Sequence, residues 1–485
     1  MKIYIYIIAL FTLGITSCKK EFLEIPPKTA LTDGVYFTSA KDFQNAVNGI
    51  YSPLRGFYGS AWVMGELRSD NTTYNFNPND RGSIAPEFIK DFTDDSNNGF
   101  TAGKYSGNYT MIARANQVLS LIDGLNFDSS LKNNLKGQAY FLRALAYFDL
   151  VQYFGSVPIH LTPVKTLAET ALPLSTAEAV YAQVIADAKQ AATLLPPKAS
   201  QEAGRATSGA AKMLLGNVYI VQKKWSDAEA TLKDITGYSL MANYADVFDP
   251  NKKNNAESLF EVQYKQGPDG FASNFFYQFL VQPITGAETQ AITGIPESSR
   301  NVQGFNIPTP DIISAYESND LRKAESISTL TASGKPYPYI KKYAHAHALT
   351  NNTDDNWPVY RYAETLLFLA EASNELNKTA EAAGYLNQVR SRAGLAPTSA
   401  TTQSTLRDAI LQERRVELAF ENKRWLDLVR TGNAVSVMTA YGQRVKANPQ
   451  AYYFPAGITV SPSAFTNIRL LFPLPASEAA LTPFF

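Results

Sequence analysis

The sequence has little of what metal centres, disulfides and nucleic-acid surfaces require. Its 485 residues include one cysteine and three histidines, and 44 basic side chains balance 44 acidic ones. A single cysteine excludes a disulfide within the chain. A net charge of zero argues against a surface that binds nucleic acid or anionic lipid. We therefore expect no nucleic-acid partner, no metal and no other cofactor.

Motifs of catalysis and of phosphate binding are also missing. The sequence contains neither a glycine-rich phosphate loop nor a Gly-x-Ser-x-Gly nucleophile elbow. His345 and His347 alternate and could face one metal, but no acidic cluster has clear ligand spacing. Asp91, Asp94 and Asp95 lack the glycine and the ladder of ligands that a calcium loop needs. None of these patterns calls for an enzyme.

The apolar run near the N-terminus, from Ile3 to Ile15, is too short to span a bilayer. A lysine precedes it, and it leads into Ile-Thr-Ser-Cys, which has the pattern of a lipobox. We predict that residues 1–17 are a lipoprotein signal peptide and that Cys18, the sole cysteine, is the lipidation site. The alternative is a free thiol after an ordinary cleavage site. Residues 18–38 would form the lipid anchor and a tether, the only contact with the membrane.

Apolar residues at helical spacing cover much of the remaining chain. The spacing predicts helices over Ser39–Leu54, Tyr109–Leu121, Leu131–Phe154, Thr176–Leu195, Thr207–Gln222 and Ser226–Ile235. Large and small apolar residues at fixed offsets are typical of a tetratricopeptide repeat. They occur twice with identical internal spacing, at Leu215, Gly216, Ala228 and Leu232, and at Leu369, Ala370, Ala382 and Leu386. The sequence therefore predicts a mostly all-α fold built on tetratricopeptide-like helical hairpins.

Two long stretches, about 56–107 and 237–356, lose this periodicity and are rich in turn-forming residues. Aromatic residues are spread through both, and the second carries short strand-like runs such as Ser258–Val262. Loops of this length in a compact chain are usually functional or disordered. The aromatic content favours ordered, functional loops, so we expect two irregular insertions with short strands on the helical scaffold.

The stretch 357–432 holds the densest set of charges beside aromatic residues. Thr405 is predicted to cap a helix in which Glu413 and Glu417 fall on the apolar face. Buried carboxylates need cationic partners, because their burial otherwise costs several kcal/mol. We predict a structural ion-pair network formed by Glu413, Glu417, Arg424, Arg430 and neighbouring arginines. The alternative is the acid pair of a glycosidase, but that needs two carboxyls on either side of a cleft.

The same stretch resembles the signature of the SusD/RagB family, the cell-surface nutrient-binding lipoproteins of Bacteroidetes. In that family an ERR-x-ELAFE run is followed by RW-x-DL-x-R-x-G. The matching residues are Glu413, Arg414, Arg415, Glu417, Phe420, Glu421, Arg424, Trp425, Asp427, Arg430 and Gly432. The runs at 139–158 and 361–376 are also typical of the family, and the resemblance covers nearly the whole chain.

The resemblance implies one SusD-like domain over residues 39–485, with about four helical repeats as a curved scaffold. It also implies a non-catalytic lipoprotein that is anchored in the cell outer membrane and faces the exterior. Such a protein would capture a nutrient, here expected to be an oligosaccharide, and pass it to a SusC-type TonB-dependent transporter. Two alternatives stay open: an all-α glycosidase or polysaccharide lyase, and a tetratricopeptide adaptor that binds peptides.

Sugars bind where the apolar face of a ring stacks on an aromatic plane and polar side chains bridge the hydroxyl groups. Both insertions offer that mixture, and the resemblance implies that they build the ligand face. Aromatic residues on the repeat helices are predicted to pack between helices instead. The candidate ligand contacts are Trp62, Asp70, Asn71, Tyr74 and Phe76 in the first insertion, and Tyr277, Arg300 and Phe305 in the second. The alternative for each aromatic ring is packing within its own loop.

Overall fold

The computed structural model describes residues 36–296 and 302–480. Cys18, the predicted lipidation site, and Arg300, a predicted ligand contact, lie outside these residues. The described part is mostly helical and contains six short strands, as the periodicity predicts. None of its helices combines the length and the apolar character that crossing a bilayer requires.

The first seven helices precede the second insertion. They are α1 (Ala40–Tyr58), α2 (Ala85–Asp91), α3 (Gly99–Leu121), α4 (Ser129–Phe154), α5 (Ala177–Leu194), α6 (Ser208–Val221) and α7 (Trp225–Lys233). Threonine side chains cap α5 and α6, because Thr176 accepts a hydrogen bond from Ala179 N and Thr207 accepts one from Ala210 N. Gly155 ends α4 with a φ of +74°, in the left-handed region that favours glycine. The starts of α5 and α6 and the end of α4 therefore agree with the sequence predictions.

Helix α3 is longer than the periodicity predicts. It begins at Gly99 rather than at Tyr109, and the side chain of Asn98 caps it. Glycines in its first half dilute the apolar pattern, which is why helical spacing alone did not reveal these turns. One of them lies close to α1, because a Cβ at Gly107 would be 3.0 Å from Cδ1 of Phe57.

Both insertions contain regular elements. The first holds α2, a π-helical turn at Val63–Leu67 and the start of α3. The second holds α8 (Phe275–Gln278), α9 (Gly286–Thr293), α10 (Pro310–Ala315) and α11 (Arg322–Ser326). The strands are β1 (Thr72–Thr73), β2 (Ser258–Val262), β3 (Ile307–Pro308), β4 (Ile327–Ala332), β5 (Lys335–Ile340) and β6 (Trp357–Arg361). Within the described residues they form three antiparallel pairs, β1 with β3, β2 with β6 and β4 with β5.

The two insertions meet although they are far apart in sequence. β1 pairs with β3, so that Thr72 lies opposite Pro308. Next to this pair, Asn75 N donates a hydrogen bond to the carbonyl of Gly304 at 2.7 Å, and Asn75 Oδ1 accepts one from Gln282 N at 2.8 Å. We call residues 72–75 and 304–308 together the insertion clamp. The clamp makes one surface out of two loops.

Two helical hairpins carry the predicted tetratricopeptide pattern. The first is α6–α7, and the second pairs α12 (Tyr362–Glu375) with α13 (Thr379–Arg392). Gly216 on α6 has no room for a side chain, because a Cβ there would lie 2.4 Å from Cδ2 of Leu232 on α7. α12 also packs on α7, so the hairpins stack although the second insertion separates them in sequence. The structure confirms the predicted repeat scaffold.

The C-terminal helices complete the scaffold. They are α14 (Gln403–Glu417), α15 (Arg424–Arg430), α16 (Ala434–Ala447) and α17 (Ala476–Ala479). Thr402 caps α14 by accepting a hydrogen bond from Thr405 N at 3.2 Å, so the predicted cap at Thr405 is wrong by one turn. Both threonines suit a capping position, and the structure uses the earlier one. A second, smaller apolar core lies between α12, α13 and α14, apart from the main core that joins scaffold and insertions.

Candidate functional site

Four of the predicted aromatic contacts are buried in the core. Trp62 is 1% exposed, and Phe305 packs against it with 6.1 Å between ring centroids. Tyr277 is fully buried, and the hydroxyl of Tyr74 lies below the surface, where it donates to Asp91 at 3.0 Å. In this structure these four rings offer no free face on which a sugar could stack.

Asp70 and Asn71 are buried as well, and their polar atoms are already engaged. Asp70 contacts Arg415 and Arg424 at 2.8 Å each. Burial alone would raise the pKa of Asp70, but Arg424 and Arg415 lower it to about 2. Asn71 Nδ2 donates to Glu66 at 3.0 Å. These side chains hold the first insertion against the C-terminal helices.

The two histidines considered as metal ligands have other partners. His345 Nδ1 lies 2.6 Å from Asp355 Oδ1, and His347 Nδ1 lies 2.8 Å from the carbonyl of His345. His347 Nε2 hydrogen-bonds the hydroxyl of Tyr277. Across residues 36–296 and 302–480, no group of three His, Cys, Asp or Glu side chains is placed to hold a metal ion. The histidine pair therefore belongs to the packing of the second insertion.

Phe76 is the predicted aromatic contact that reaches the surface. Phe454 stacks against its ring with 5.6 Å between centroids, and the guanidinium of Arg81 lies 3.7 Å from the centroid of Phe76. Arg81 also pairs with Glu87 and keeps 31% of its side chain exposed. The result is a partly exposed cation held on an aromatic stack.

Two tyrosines extend this surface. Tyr453 donates its hydroxyl to the carbonyl of Pro308 in the insertion clamp, at 2.7 Å. Tyr337 on β5 packs beside Tyr453, with 6.0 Å between ring centroids. Both rings are partly exposed. We call the surface formed by Phe76, Arg81, Tyr337 and Tyr453 the insertion face.

Sequence reasoning did not single out three of these four residues. Strand periodicity would not have identified Tyr337, because Tyr339, two positions on in β5, shares its strand face but is buried while Tyr337 stays partly exposed. Tyr453 lies outside both insertions, and no sequence pattern marks it. Arg81 joins the face through its contact with the ring of Phe76, which sequence spacing does not reveal.

Glu417 on α14 is the centre of a buried ion-pair network. It is 0% exposed and contacts Arg361, Arg392 and, at 2.8 Å, Arg322. Burial alone would raise the pKa of Glu417, but these three arginines hold it well below its usual range. Glu413 shares Arg322, at 2.6 Å. Neither carboxylate reaches the surface, so a substrate has no access to this pair.

The network differs in membership from the sequence prediction. Arg424 and Arg430 form other ion pairs, Arg424 with Asp70 at 2.8 Å and Arg430 with Asp427 at 2.7 Å. Arg322 and Glu257 enter from the second insertion, where Glu257 lies 2.8 Å from Arg361. No fixed spacing links these insertion residues to α14, so periodicity could not identify them. The network therefore joins the scaffold to the second insertion.

Another buried cation, Arg68, joins the first insertion to the C-terminal segment. It is 0% exposed and lies 2.8 Å from Asp94. Its guanidinium is 4.0 Å from the ring centroid of Phe472 and 4.3 Å from that of Phe92, and it donates to the carbonyl of Arg469 at 3.1 Å. Burial lowers the pKa of Arg68 to about 10, against the opposing effect of Asp94.

Family models match two long parts of the chain. Residues 314–483 match a model described as the SusD family, and residues 21–220 match one described as starch-binding associating with outer membrane. The chain belongs to the SusD/RagB family. The SusD-family match includes α14 and α15, so the predicted signature of the family is the segment that forms the ion-pair network around Glu417.

Relatives match this SusD-family chain over most of their length. SusD-like protein P2 of Formosa agariphila is 28% identical over 526 residues, which cover 99% of this chain and 97% of the relative. A SusD-like protein of Bacteroides ovatus is 26% identical over 475 residues, which cover 88% of this chain and 82% of the relative.

Solved structures of SusD-like proteins share the fold. A laminarin binding SusD-like protein is 25% identical with a TM-score of 0.73, covering 91% of this chain and 97% of its own. Surface glycan-binding protein A from Bacteroides uniformis is 23% identical with a TM-score of 0.75, and the match covers 92% of this chain and 99% of that protein. A SusD homologue from Bacteroides thetaiotaomicron is 20% identical with a TM-score of 0.78, and the match covers 93% of this chain and 97% of the homologue. The helical scaffold is thus the fold of the SusD family.

Proposed function

We propose that this SusD-family protein binds an oligosaccharide at the insertion face and does not cleave it. The observation that carries the proposal is the insertion clamp, which joins two loops into one surface on a rigid frame. Two structural neighbours are described as a laminarin binding protein and a surface glycan-binding protein, which supports a glycan as the ligand.

The insertion face has both kinds of group that sugar recognition needs. Tyr337 and Tyr453 carry partly exposed rings, which suit the apolar face of a sugar ring. Arg81 is supported from below by Phe76, and its guanidinium N–H groups can donate to hydroxyl oxygens. Glu87 engages only part of this donor set, so Arg81 remains able to contact a ligand.

The buried candidates have a different role in this proposal. Because their rings and polar atoms are taken up by neighbours, they support the face from beneath rather than touch the sugar. These supporting residues are Trp62, Asp70, Asn71, Tyr74, Tyr277 and Phe305. Phe76 stays in the proposal as the aromatic support of Arg81.

Removing one group from the insertion face should weaken glycan binding and leave the fold intact. Tyr337→Ala and Arg81→Ala are each expected to lower the affinity about tenfold, since one such contact contributes about 1–2 kcal/mol. Calorimetric titration with laminarin, and with starch, xylan and mannan as further probes, measures the change. Tyr385→Ala on α13 is the matched control, because it removes a partly buried tyrosine from the scaffold and should bind like the parent.

The same titrations separate the proposal from its rivals. Unchanged affinity in both face variants would place the binding site elsewhere. Chromatography of the glycan after incubation should recover it intact, whereas shorter products would favour the glycosidase or lyase alternative. Tight binding of peptides without binding of any glycan would favour the adaptor alternative.

The proposal also places the protein on the outer membrane, held by a lipid on Cys18, where it delivers its ligand to a SusC-type TonB-dependent transporter. Cys18 is the sole cysteine and follows the apolar run of the predicted signal peptide. The family model that matches residues 21–220 is described as associating with outer membrane, which supports this location.

Cys18→Ser should move the protein from the outer-membrane fraction to the soluble fraction, because the change removes the thiol that would carry the lipid. Immunoblots of fractionated cells that express the parent or the variant measure this. Tagged parent protein purified from solubilised outer membranes should also recover a TonB-dependent transporter. Membrane retention of the serine variant would contradict the anchor, and a purified protein without a transporter would contradict the partner.

A further inference from the structure

A cavity of about 370 Å³ lies between the two repeat hairpins. The ends of α6 and α12, the start of α7, part of α14, the end of α15 and the residues after it line the cavity. No described residue of either insertion lines it. Its volume falls in the range of small-ligand sites, roughly 300–1,000 Å³. The cavity is therefore large enough for a ligand and is built from a different part of the chain than the insertion face.

Trp225 distinguishes this cavity from an ordinary gap between helices. The chain has four tryptophans, and Trp62, Trp357 and Trp425 are each buried, with at most 1% exposed. Trp225 is the first residue of α7; it lines the cavity and keeps part of its surface exposed. Its indole N–H has no hydrogen-bond acceptor among the residues that the structure describes. A partly exposed indole with an unused donor is suited to a ligand that is apolar on one face and polar at its edge.

The charged residues around Trp225 are balanced in number. Arg407 donates to both carboxylate oxygens of Glu375, at 2.6 and 2.8 Å. Asp408 beside it is exposed and makes no hydrogen bond with any described residue. The charged side chains of the lining are three cations, Lys223, Arg407 and Arg430, and three anions, Glu371, Glu375 and Asp408. A neutral lining gives no net attraction to a phosphate or to a strongly charged peptide.

We propose that this cavity is a second carbohydrate site, in which a neutral sugar ring stacks on Trp225 and its hydroxyl groups bond Asp408 and Arg407. The indole supplies the apolar plane, and the carboxylate and guanidinium supply an acceptor and donors at its edge. The assignment of a glycan as the ligand class rests on the proposed function. The site itself rests on the partly exposed indole, its unused N–H and the neutral lining.

Fluorine NMR of protein labelled with fluorotryptophan tests the proposal directly, because the chain has only four tryptophans. Trp225→Phe assigns the signal of Trp225 by removing it. On titration with laminarin, starch, cellulose, xylan or mannan oligosaccharides, we expect the Trp225 signal to shift saturably with at least one probe. The signals of the three buried tryptophans should stay in place.

Single substitutions test whether the oligosaccharide that shifts the Trp225 signal is bound in the cavity. Asp408→Ala should weaken the saturation of the Trp225 signal about tenfold, since it removes one charged hydrogen-bond partner. Ser404→Ala is the matched control, because Ser404 is exposed on the same helix but does not line the cavity. Tyr337→Ala, which alters the insertion face, should leave the titration of the Trp225 signal unchanged.

The possible outcomes separate the two sites. If calorimetry detects glycan binding and the Trp225 signal never moves, the second site is refuted and the proposed function stands. If the Trp225 signal titrates while Tyr337→Ala and Arg81→Ala leave all binding unchanged, the insertion face is refuted and the second site stands. A Trp225 signal that only peptides from a casein digest can shift overturns the carbohydrate assignment. Absence of binding by every probe refutes both.

Discussion

Replacing Glu417 with alanine should lower the free energy of unfolding by about 3–5 kcal/mol, the usual cost of removing one member of a buried ion pair. The carboxylate contacts Arg322, Arg361 and Arg392, and all three guanidinium groups lie in the interior. Without Glu417 these cations keep their desolvation cost and lose their shared partner. Single domains are commonly stable by only about 5–15 kcal/mol, so the loss is a large share of the total. Urea unfolding followed by circular dichroism measures it.

Glu202→Ala is the matched control for this experiment. Glu202 also pairs with an arginine, Arg205, but its side chain is 71% exposed. Exposed pairs contribute little because water screens them, so we expect a change below about 1 kcal/mol. Equal unfolding midpoints for Glu417→Ala and the parent would contradict the structural role. Loss of a glycan-cleaving activity at unchanged stability would instead favour the enzyme alternative.

Arg68→Met should destabilise the protein by about 3 kcal/mol or more, by the same rule for broken buried pairs. The change keeps a similar length of apolar chain but removes the charge opposite Asp94 and the donor to the carbonyl of Arg469. It also removes the cation that lies between the rings of Phe92 and Phe472. The buried carboxylate of Asp94 then has one cationic partner fewer. Thermal and urea unfolding of the purified variant measure the loss.

Arg469→Met provides the comparison within the same site. Arg469 also contacts Asp94, at 3.0 Å, but its side chain is 31% exposed and Arg68 remains in place when it is removed. We expect this change to cost less than about 1 kcal/mol. If both methionine variants lose the same stability, burial of Arg68 is not the reason for its effect.

The scaffold could be predicted from the sequence because its signals are local. Helical spacing identifies α4 to α7, Gly155 marks the end of α4, and the offsets of Gly216 and Leu232 identify the first hairpin. The burial of Glu417 follows from its place on an apolar helix face, and that in turn predicts arginine partners. The missed start of α3 and the misplaced cap of α14 are errors of one or more turns in elements that were otherwise identified.

The insertion face could be predicted only in part, because it depends on pairing between distant segments. The clamp joins Thr72 to Pro308, and it brings Phe305 against Trp62 in the interior. Composition shows that both loops are rich in aromatic residues, but it does not show which of their rings face the interior. Trp225 shows another limit, since the predicted helix begins at Ser226 and no sequence pattern marks Trp225, which is the first residue of α7 and partly exposed.

The insertion clamp has a consequence for how such a surface can diverge. Backbone bonds join residues 72–75 to 304–308, and the segment 77–84, called the tip here, follows the first of these and is largely exposed. Residues of the tip can be exchanged, added or deleted without disturbing the clamp or the helices below, because exposed loops tolerate such changes. Variation in this tip can therefore change ligand preference between paralogues while the anchoring backbone, and with it the stability of the molecule, is inherited unchanged.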